Sequence, residues 1–305
     1  MENKYTELCI FYCKILFYGY LVLEYQTLEG VLVMYVENLH LQLTRNCTLE
    51  CEHCLRGDRE RVNMNPAVLD EIFKDVKKVG FLLLTGGEPL LAIQTLEYLA
   101  RLLKTKQVRV NKIIIITNGT VLSDRVLSVL HDLQDNSYLV LKLSTDIFHN
   151  LELEKRGMLE LRERNLRILS DNKFYNFSEY GKDEISNWPS ALTNKGRTKN
   201  LTPERLEEIN AIAKQRHIIN TEFEEHHPLT SINNNKVEGN ITIDVYGNVV
   251  SYGLSFEEED KEAYDNGLNV MVMPCEEAIR SFVKRHQEEV NKVYKRFGID
   301  FGTAE

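Results

Sequence analysis

The stretch LTRNCTLECEHCLRGD (43–58) places Cys47, Cys51 and Cys54 within eight positions. It follows a short run of alternating apolar residues, VENLHLQLT (36–44), which predicts a strand. The chain has six cysteines, so half of them lie in one loop. Disulfides, a zinc site, an iron–sulfur cluster and chance clustering are the candidate explanations.

Composition narrows the class of protein. A chain of 305 residues is long enough for one large α/β domain with a small appendage. The net charge of −9 argues against bulk nucleic-acid binding, which needs clustered Lys and Arg. No secretory signal is evident, and the cysteines are not spaced like a disulfide framework. We therefore expect a cytoplasmic protein.

The segment LCIFYCKILFYGYLVL (8–23) is nearly all apolar, but it is short for a membrane span and contains Lys14. Three interpretations stay open: a buried hairpin, a membrane-surface anchor, or an extension upstream of a true start at Met34. Cys9 and Cys13 are expected to be packing residues, because an isolated pair lacks the further ligands of a metal site.

From residue 36 onward, predicted strands and helices alternate. Continuous apolar strands between amphipathic helices imply parallel strands joined by crossovers. We predict a partial (β/α)6 TIM-like barrel with a small C-terminal hairpin-plus-helix extension; a doubly wound sheet is the alternative. In either fold the loops at the carboxyl ends of the strands form the site. The predicted strands are 36–44, 80–89, 112–120, 138–146, 172–180 and 219–226, and the helices begin near Asn65, before Leu96, at Ser123, near 155 and at Thr202.

The C-terminal part has a different pattern. Residues 233–240 are predicted to be a linker, 241–253 a hairpin and 275–296 an amphipathic helix, while the acidic run Glu257–Asp260 is expected to be solvated surface. We therefore predict three segments: an apolar extension (1–35), a core domain (36–228) and a C-terminal extension (229–305).

The cysteine loop allows two metal centres. A zinc site would use Cys47, Cys51, His53 and Cys54, but simultaneous coordination by the adjacent His53 and Cys54 is awkward. Zinc sites also commonly combine two separated ligand pairs, and the sequence shows no second pair. Three cysteines can instead hold three corners of a 4Fe–4S cluster, which leaves one iron open to a further ligand.

The loop Cys47-x-x-x-Cys51-x-x-Cys54 resembles the defining motif of radical S-adenosylmethionine (radical SAM) enzymes. The resemblance continues through GGEP (86–89), TNGT (117–120) and STD (144–146), and covers roughly residues 36–226. It implies one 4Fe–4S cluster, held by Cys47, Cys51 and Cys54, and SAM as cofactors. Reductive cleavage of SAM would give methionine and a 5′-deoxyadenosyl radical, which abstracts a hydrogen atom from the substrate. An external flavodoxin or ferredoxin would supply the electron.

The resemblance also implies a set of SAM contacts. Glycines allow backbone to approach a ligand closely, and Glu88 could accept hydrogen bonds from the SAM ammonium group. Asp146 could equally cap the following helix, and Arg197 in NKGRT (194–198) could meet a carboxylate. Catalytic residues that face the substrate are not identified; Glu222, Glu224, His226 and His227 are candidates that are more often surface charge. The implied SAM-binding residues are His53, Gly86, Gly87, Glu88, Pro89, Asn118, Ser144 and Asp146.

The substrate class stays open between a peptide or protein side chain and a small molecule. The hairpin ITIDVYGNVVSYG (241–253) resembles the start of the extension that carries auxiliary clusters in peptide-modifying members. Here Ser251 stands near the expected cysteine and only Cys275 follows, which predicts a degenerate, cluster-free extension. The alternative function is a non-catalytic 4Fe–4S binding or sensing protein, although the intact GGEP motif favours an enzyme.

Overall fold

A computed structural model describes residues 33–105, 108–174, 196–215 and 230–296. The chain divides into two compact units, Met1–Val33 and Met34–Glu305, and the described residues after Val33 belong to the second. The apolar segment 8–23, the candidates at 222–227 and the predicted strand 219–226 lie outside the described residues, as does the predicted strand 172–180 beyond Phe174.

The four N-terminal strands form a parallel sheet in the order β4-β3-β2-β1. Alternation along β1 places Leu39, Leu41 and Leu43 in the main hydrophobic core. The segments GGEP (86–89), TNGT (117–120) and STD (144–146) lie at the ends of β2, β3 and β4. Their polar residues therefore meet at one edge of the sheet. The strands are β1 Met34–Thr44, β2 Val76–Gly86, β3 Arg109–Thr117 and β4 Tyr138–Leu143.

The helices between these strands begin at the residues that the sequence indicates. The Asn65 side chain accepts from the backbone N–H of Ala67 at the start of α1, and Ser123 accepts from Val126 at the start of α3. The helix predicted near 155–170 is present as Leu159–Asp171, and a further helix that the sequence did not predict, Ile147–Lys155, precedes it. Gly157, between the two helices, has a positive φ of 63°. The helices between the strands are α1 Pro66–Asp75, α2 Ile93–Thr105 and α3 Asp124–Asn136, and those that follow β4 are α4 Ile147–Lys155, α5 Leu159–Asp171 and α6 Pro203–Gln215.

The C-terminal part of the chain adds strands to the same sheet. The short strand β5 (Ser231–Asn233) is antiparallel to β6 (Lys236–Ile243), and β6 is parallel to β1. The predicted linker at 233–240 is therefore wrong: Val237 is buried beside β1, and this pairing satisfies backbone groups that a linker would expose. The predicted hairpin is present, since β7 (Val249–Val250) is antiparallel to β6.

Two helices follow the hairpin. Helix α7 (Phe256–Asn266) starts with a capping box formed by Ser255 and Glu258 and ends at Gly267 in the left-handed conformation. Helix α8 (Cys275–Arg296) has the predicted bounds. The expectation that Glu257–Asp260 is solvated surface is wrong at Glu259, which is fully buried, because two arginines and a glutamine contact its carboxylate.

The fold is mixed α/β, with a mainly parallel sheet that is not closed within the described part of the chain. This agrees with the predicted partial barrel. Core residues of the extension, including Ile241, Ile279 and Phe282, belong to the same hydrophobic cluster as Leu39 and Leu84. Among the described residues, no helix is long and apolar enough to cross a membrane.

Candidate metal and cofactor site

The cysteine loop begins where β1 ends and lies against the glycine turn that follows β2. Gly87 donates its N–H to the Thr44 carbonyl, and Glu88 donates to the Asn46 carbonyl, both at 2.8 Å. A Cβ on Gly86 would stand 2.1 Å from the Thr44 oxygen, and one on Gly87 would stand 2.2 Å from the Asn46 oxygen. Both glycines are therefore required for close approach of the two backbones, whatever they do for a ligand.

The three cysteines of the loop are free and close to one another. Cys51 is buried against Leu49 and Leu153, while Cys47 and Cys54 are partly buried. Burial raises the pKa of Cys47 to about 12, and negative charge on Glu88, Cys54 and Cys51 adds to this effect. Three clustered thiolates need a compensating cation, which inverts that preference for the protonated thiol. The donor set therefore fits a metal centre with sulfur ligands.

The Cys47 sulfur already accepts hydrogen bonds from the protein. The backbone N–H of Leu49 donates to it at 3.4 Å, and the Asn118 amide nitrogen lies 3.7 Å from it. The same amide nitrogen donates to the Thr48 hydroxyl at 3.0 Å, and the Thr48 and Thr120 hydroxyls are 2.7 Å apart. Asn118 thus links the third strand's end to the cysteine loop, a role that its sequence position alone did not specify.

Glu88 is fully buried beneath the glycine turn. One carboxylate oxygen accepts from the backbone N–H of Leu90 at 3.2 Å and the Thr117 hydroxyl at 2.9 Å, and the other accepts from the Asn118 N–H at 2.8 Å. Burial raises the pKa of Glu88 to about 7, although these hydrogen bonds favour the charged form. A carboxylate has about four acceptor positions, so one remains for a further donor.

His53 and Asp146 meet at the start of α4. His53 is buried and stacks on Phe148 at 4.4 Å between ring centroids, and its Nε2 lies 3.5 Å from an Asp146 oxygen. Burial lowers the pKa of His53 to about 4. Asp146 caps α4 by accepting from the backbone N–H of His149 at 3.0 Å. The capping role that the sequence allowed for Asp146 is therefore present in the structure.

His149 is a site residue that sequence reasoning missed. Its Nδ1 lies 2.5 Å from the second Asp146 oxygen, and its ring contacts His53 edge to face. Burial opposes its charge, but Asp146 and Cys51 raise the pKa of His149 well above its usual value. The sequence did contain one indication of this contact: His149 lies three residues after Asp146, the candidate helix cap, and at that spacing its side chain can face the Asp146 carboxylate.

The remaining predicted residues lie at the same edge of the sheet. Pro89 is buried and starts a short 3₁₀ turn, Pro89–Leu91, for which Glu88 is the N-cap. Ser144 is partly buried and donates its backbone N–H to the Thr117 carbonyl at 2.9 Å. The edge thus brings together the ends of β1 to β4.

Two overlapping donor sets are available at this edge. The first consists of the three loop thiols. The second consists of Cys51, His53 and His149, whose candidate ligand atoms lie within 4.8 Å of one another. Sulfur-rich sets suit iron–sulfur clusters, whereas mixed sulfur and imidazole sets suit zinc. Cys51 belongs to both donor sets, so a cluster on the three thiols and a separate metal ion on Cys51, His53 and His149 are alternatives.

The fold and this edge define an α/β protein with a mainly parallel sheet and a sulfur-rich candidate metal site at the carboxyl ends of its parallel strands. Residues 41–189 match the family model of the Radical SAM superfamily, which identifies this region as a Radical SAM domain. A Radical SAM domain implies metal binding, an iron–sulfur cluster and SAM.

Curated relatives match part of the chain. The GTP 3',8-cyclase of Aquifex aeolicus (strain VF5) is 32% identical over 136 residues, which are 42% of this chain and 40% of that protein. The GTP 3',8-cyclase of Clostridium perfringens (strain SM101 / Type A) is 29% identical over 168 residues, 49% of this chain and 50% of that protein. The chain thus spans at most about half the length of these relatives.

Solved structures show a distant likeness. One is native anSMEcpe with bound AdoMet and Cp18Cys peptide, at 16% identity and a TM-score of 0.37, covering 65% of this chain and 53% of that one. Another is Streptococcus suis SuiB bound to precursor peptide SuiA, at 14% identity and a TM-score of 0.35, covering 72% and 60%.

Proposed function

We propose that this protein is a radical SAM enzyme with one 4Fe–4S cluster, acting on a peptide or protein side chain or on a small molecule. The observation that carries the proposal is the gathering of three free thiols over the GGEP turn, within a region that matches the superfamily. When bound, the cluster would supply the electron for reductive cleavage of SAM to methionine and a 5′-deoxyadenosyl radical, and this radical would abstract a hydrogen atom from the substrate.

The residues of this chain have separate roles in the proposal. Cys47, Cys51 and Cys54 hold the cluster, and the Asn118 amide orients Cys47 by donating toward its sulfur. Glu88 offers its remaining acceptor position to the SAM ammonium, while its three internal hydrogen bonds fix the carboxylate.

Cluster content in single cysteine variants tests the metal assignment. We expect anaerobically reconstituted wild-type protein to contain one 4Fe–4S cluster, and Cys47→Ala, Cys51→Ala and Cys54→Ala to lose it. Cys275→Ala is the matched control, because Cys275 is buried in the main core, away from the loop. Iron and sulfide analysis measures the outcome; Cys9→Ala and Cys13→Ala should also keep the cluster.

A second metal analysis separates the two donor sets. Stoichiometric zinc in native protein, lost in His149→Ala but retained in Cys54→Ala, would assign the centre to Cys51, His53 and His149. That result would contradict the proposed cluster and the radical chemistry together.

SAM cleavage tests the activity. Protein reduced by dithionite or by flavodoxin or ferredoxin should convert SAM to 5′-deoxyadenosine and methionine, and Cys54→Ala should not. The curated relatives act on GTP, so GTP belongs in the substrate panel beside peptides. A reconstituted protein that binds SAM but yields no 5′-deoxyadenosine with any reductant or substrate would favour the sensing function.

A further inference from the structure

The short helical turn Gly196–Asn200 contacts the cysteine loop from far along the chain. Arg197 is 146 positions from Cys51, yet its Nε donates to the Cys51 carbonyl at 3.0 Å. Its backbone N–H donates to the Cys54 carbonyl, also at 3.0 Å. One residue therefore contacts the main chain of two of the three cysteines.

These two contacts fix a turn within the loop. The N–H of Cys54 donates to the Cys51 carbonyl at 3.1 Å, which closes the turn between the two cysteines. Since Arg197 binds the same Cys51 carbonyl and the Cys54 carbonyl, it restrains both ends of this turn. The separation of the two sulfurs depends on that geometry.

Gly196 makes the approach possible. Its φ is +54°, and a Cβ there would stand 2.1 Å from the Leu55 oxygen and 2.5 Å from the Cys54 oxygen. Both obstacles are backbone atoms of the cysteine loop, so a side chain would force the loop and the turn apart. Gly196 thus permits the close backbone approach that lets Arg197 bind the cysteine loop.

The charge of Arg197 also lies close to the loop. Its nearest acidic partner among the described residues is Asp58, at 3.7 Å, and that carboxylate is almost fully exposed. The family resemblance predicts that Arg197 meets a carboxylate. Asp58 supplies that carboxylate only as a weak, solvated neighbour, whereas Arg197 donates its hydrogen bonds to the main-chain carbonyls of Cys51 and Cys54.

We infer that Arg197 is a positioning residue for the cluster: it holds the Cys51–Cys54 turn and places a positive charge beside the metal centre. The inference rests on the proposed function. Groups outside the ligand set orient the ligands, and nearby charge and hydrogen bonds set the reduction potential of iron–sulfur clusters.

The test compares Arg197→Met, Arg197→Lys and the control Lys199→Met in anaerobically reconstituted protein. Lys199 lies on the same turn, but its ion pair is with the exposed Glu257. Three quantities are measured: the rate of cluster loss to a chelator, from absorbance; the reduction potential of the cluster; and the unfolding temperature of the apo-protein.

We expect Arg197→Met to lose its cluster about 10–100-fold faster than wild type and to be reduced at a more negative potential. Arg197→Lys keeps the charge without the directed Nε donor, so its potential should return toward the wild-type value while cluster loss stays fast. Gly196→Ala should lose the cluster quickly with the charge retained. Lys199→Met should match wild type in all three measurements.

The outcomes distinguish this inference from the proposed function. Wild-type protein without a cluster would overturn both. Wild-type protein with a cluster, and Arg197→Met unchanged in cluster loss and potential, would overturn the inference alone. A lower apo unfolding temperature in Arg197→Met with an unchanged potential would make Arg197 an ordinary structural contact, which also overturns it.

Discussion

Glu88 shows how burial changes the chemistry of a single residue. Its carboxylate is fully buried, and burial raises its pKa from 4.5 to about 7. The neutral acid is therefore favoured in the folded protein at pH 6, and the carboxylate is favoured at pH 8. A cationic ligand such as the SAM ammonium binds the charged form better.

SAM affinity should consequently depend on pH through Glu88. If only the ionised carboxylate binds the ammonium, affinity should rise about tenfold from pH 6 to pH 8, because the ionised fraction rises by that factor around a pKa of about 7. Equilibrium SAM binding to the unreduced cluster form measures this rise. Glu88→Gln should bind SAM weakly, with no such rise.

Cluster absorbance, recorded at each pH, is the control for this measurement. An equal pH dependence in wild type and Glu88→Gln, at full cluster content, would show that Glu88 only supports the turn. The unfolding free energy gives a second check. The raised pKa predicts that any contribution of Glu88 to stability is greatest below about pH 4.5 and falls as pH rises through about 7.

Helix α7 connects the C-terminal extension to the cysteine loop through buried charge. Its Glu259 accepts two contacts from the Gln42 amide, at 2.9 and 3.1 Å, and pairs with Arg56 of the loop. Asp260 pairs with Arg45, whose buried guanidinium also stacks on Phe256 and Tyr246. The C-terminal extension therefore stabilises β1 and the cysteine loop through these ion pairs and hydrogen bonds.

Removing the Glu259 charge should destabilise the protein strongly. Glu259→Ala leaves Arg56 and Gln42 without their buried acceptor, which typically costs about 3–5 kcal/mol. Denaturant unfolding of the apo-protein measures this loss. Glu257→Ala is the matched control on the same helix: its ion pair is solvent-exposed, so we expect less than about 1 kcal/mol. An equal loss of unfolding free energy in the two variants would contradict the stabilising role of Glu259.

At the scale of the whole molecule, β6 joins the extension to the rest of the sheet. It pairs in parallel with β1, and Ile241 lies in register with Leu39, so that both are fully buried in one core. The predicted boundary between a core domain and an extension near 228 stays a prediction. The shared core nevertheless implies that residues on its two sides unfold together.

Ile241→Ala tests this cooperativity. Deleting a fully buried isoleucine side chain costs about 2–5 kcal/mol, and the loss should lower a single unfolding transition observed by both circular dichroism and cluster absorbance. Glu238→Ala on the exposed side of the same strand should change it little. Two separate transitions, with only one shifted by Ile241→Ala, would show instead that the extension unfolds independently.

The sequence by itself determined the local features of this protein. Period-2 and period-3.6 patterns located β1 to β4 and the helices α1 to α3 between them, and capping residues located helix starts, because these signals depend on neighbouring positions. The same holds for the clustering of Cys47, Cys51 and Cys54 in one loop. The family resemblance, which also rests on short motifs, was confirmed over residues 41–189.

Only the tertiary structure decided the contacts between distant segments. The pairing of β6 with β1, the burial of Glu259 and the contact of Arg197 with the cysteine loop each join residues about 150 to 220 positions apart. Glu259 lies in an acidic run and Arg197 in a polar segment, so local composition predicts exposure for both. Their partners on other elements, which no local pattern encodes, supply the charge and hydrogen bonds that make burial favourable.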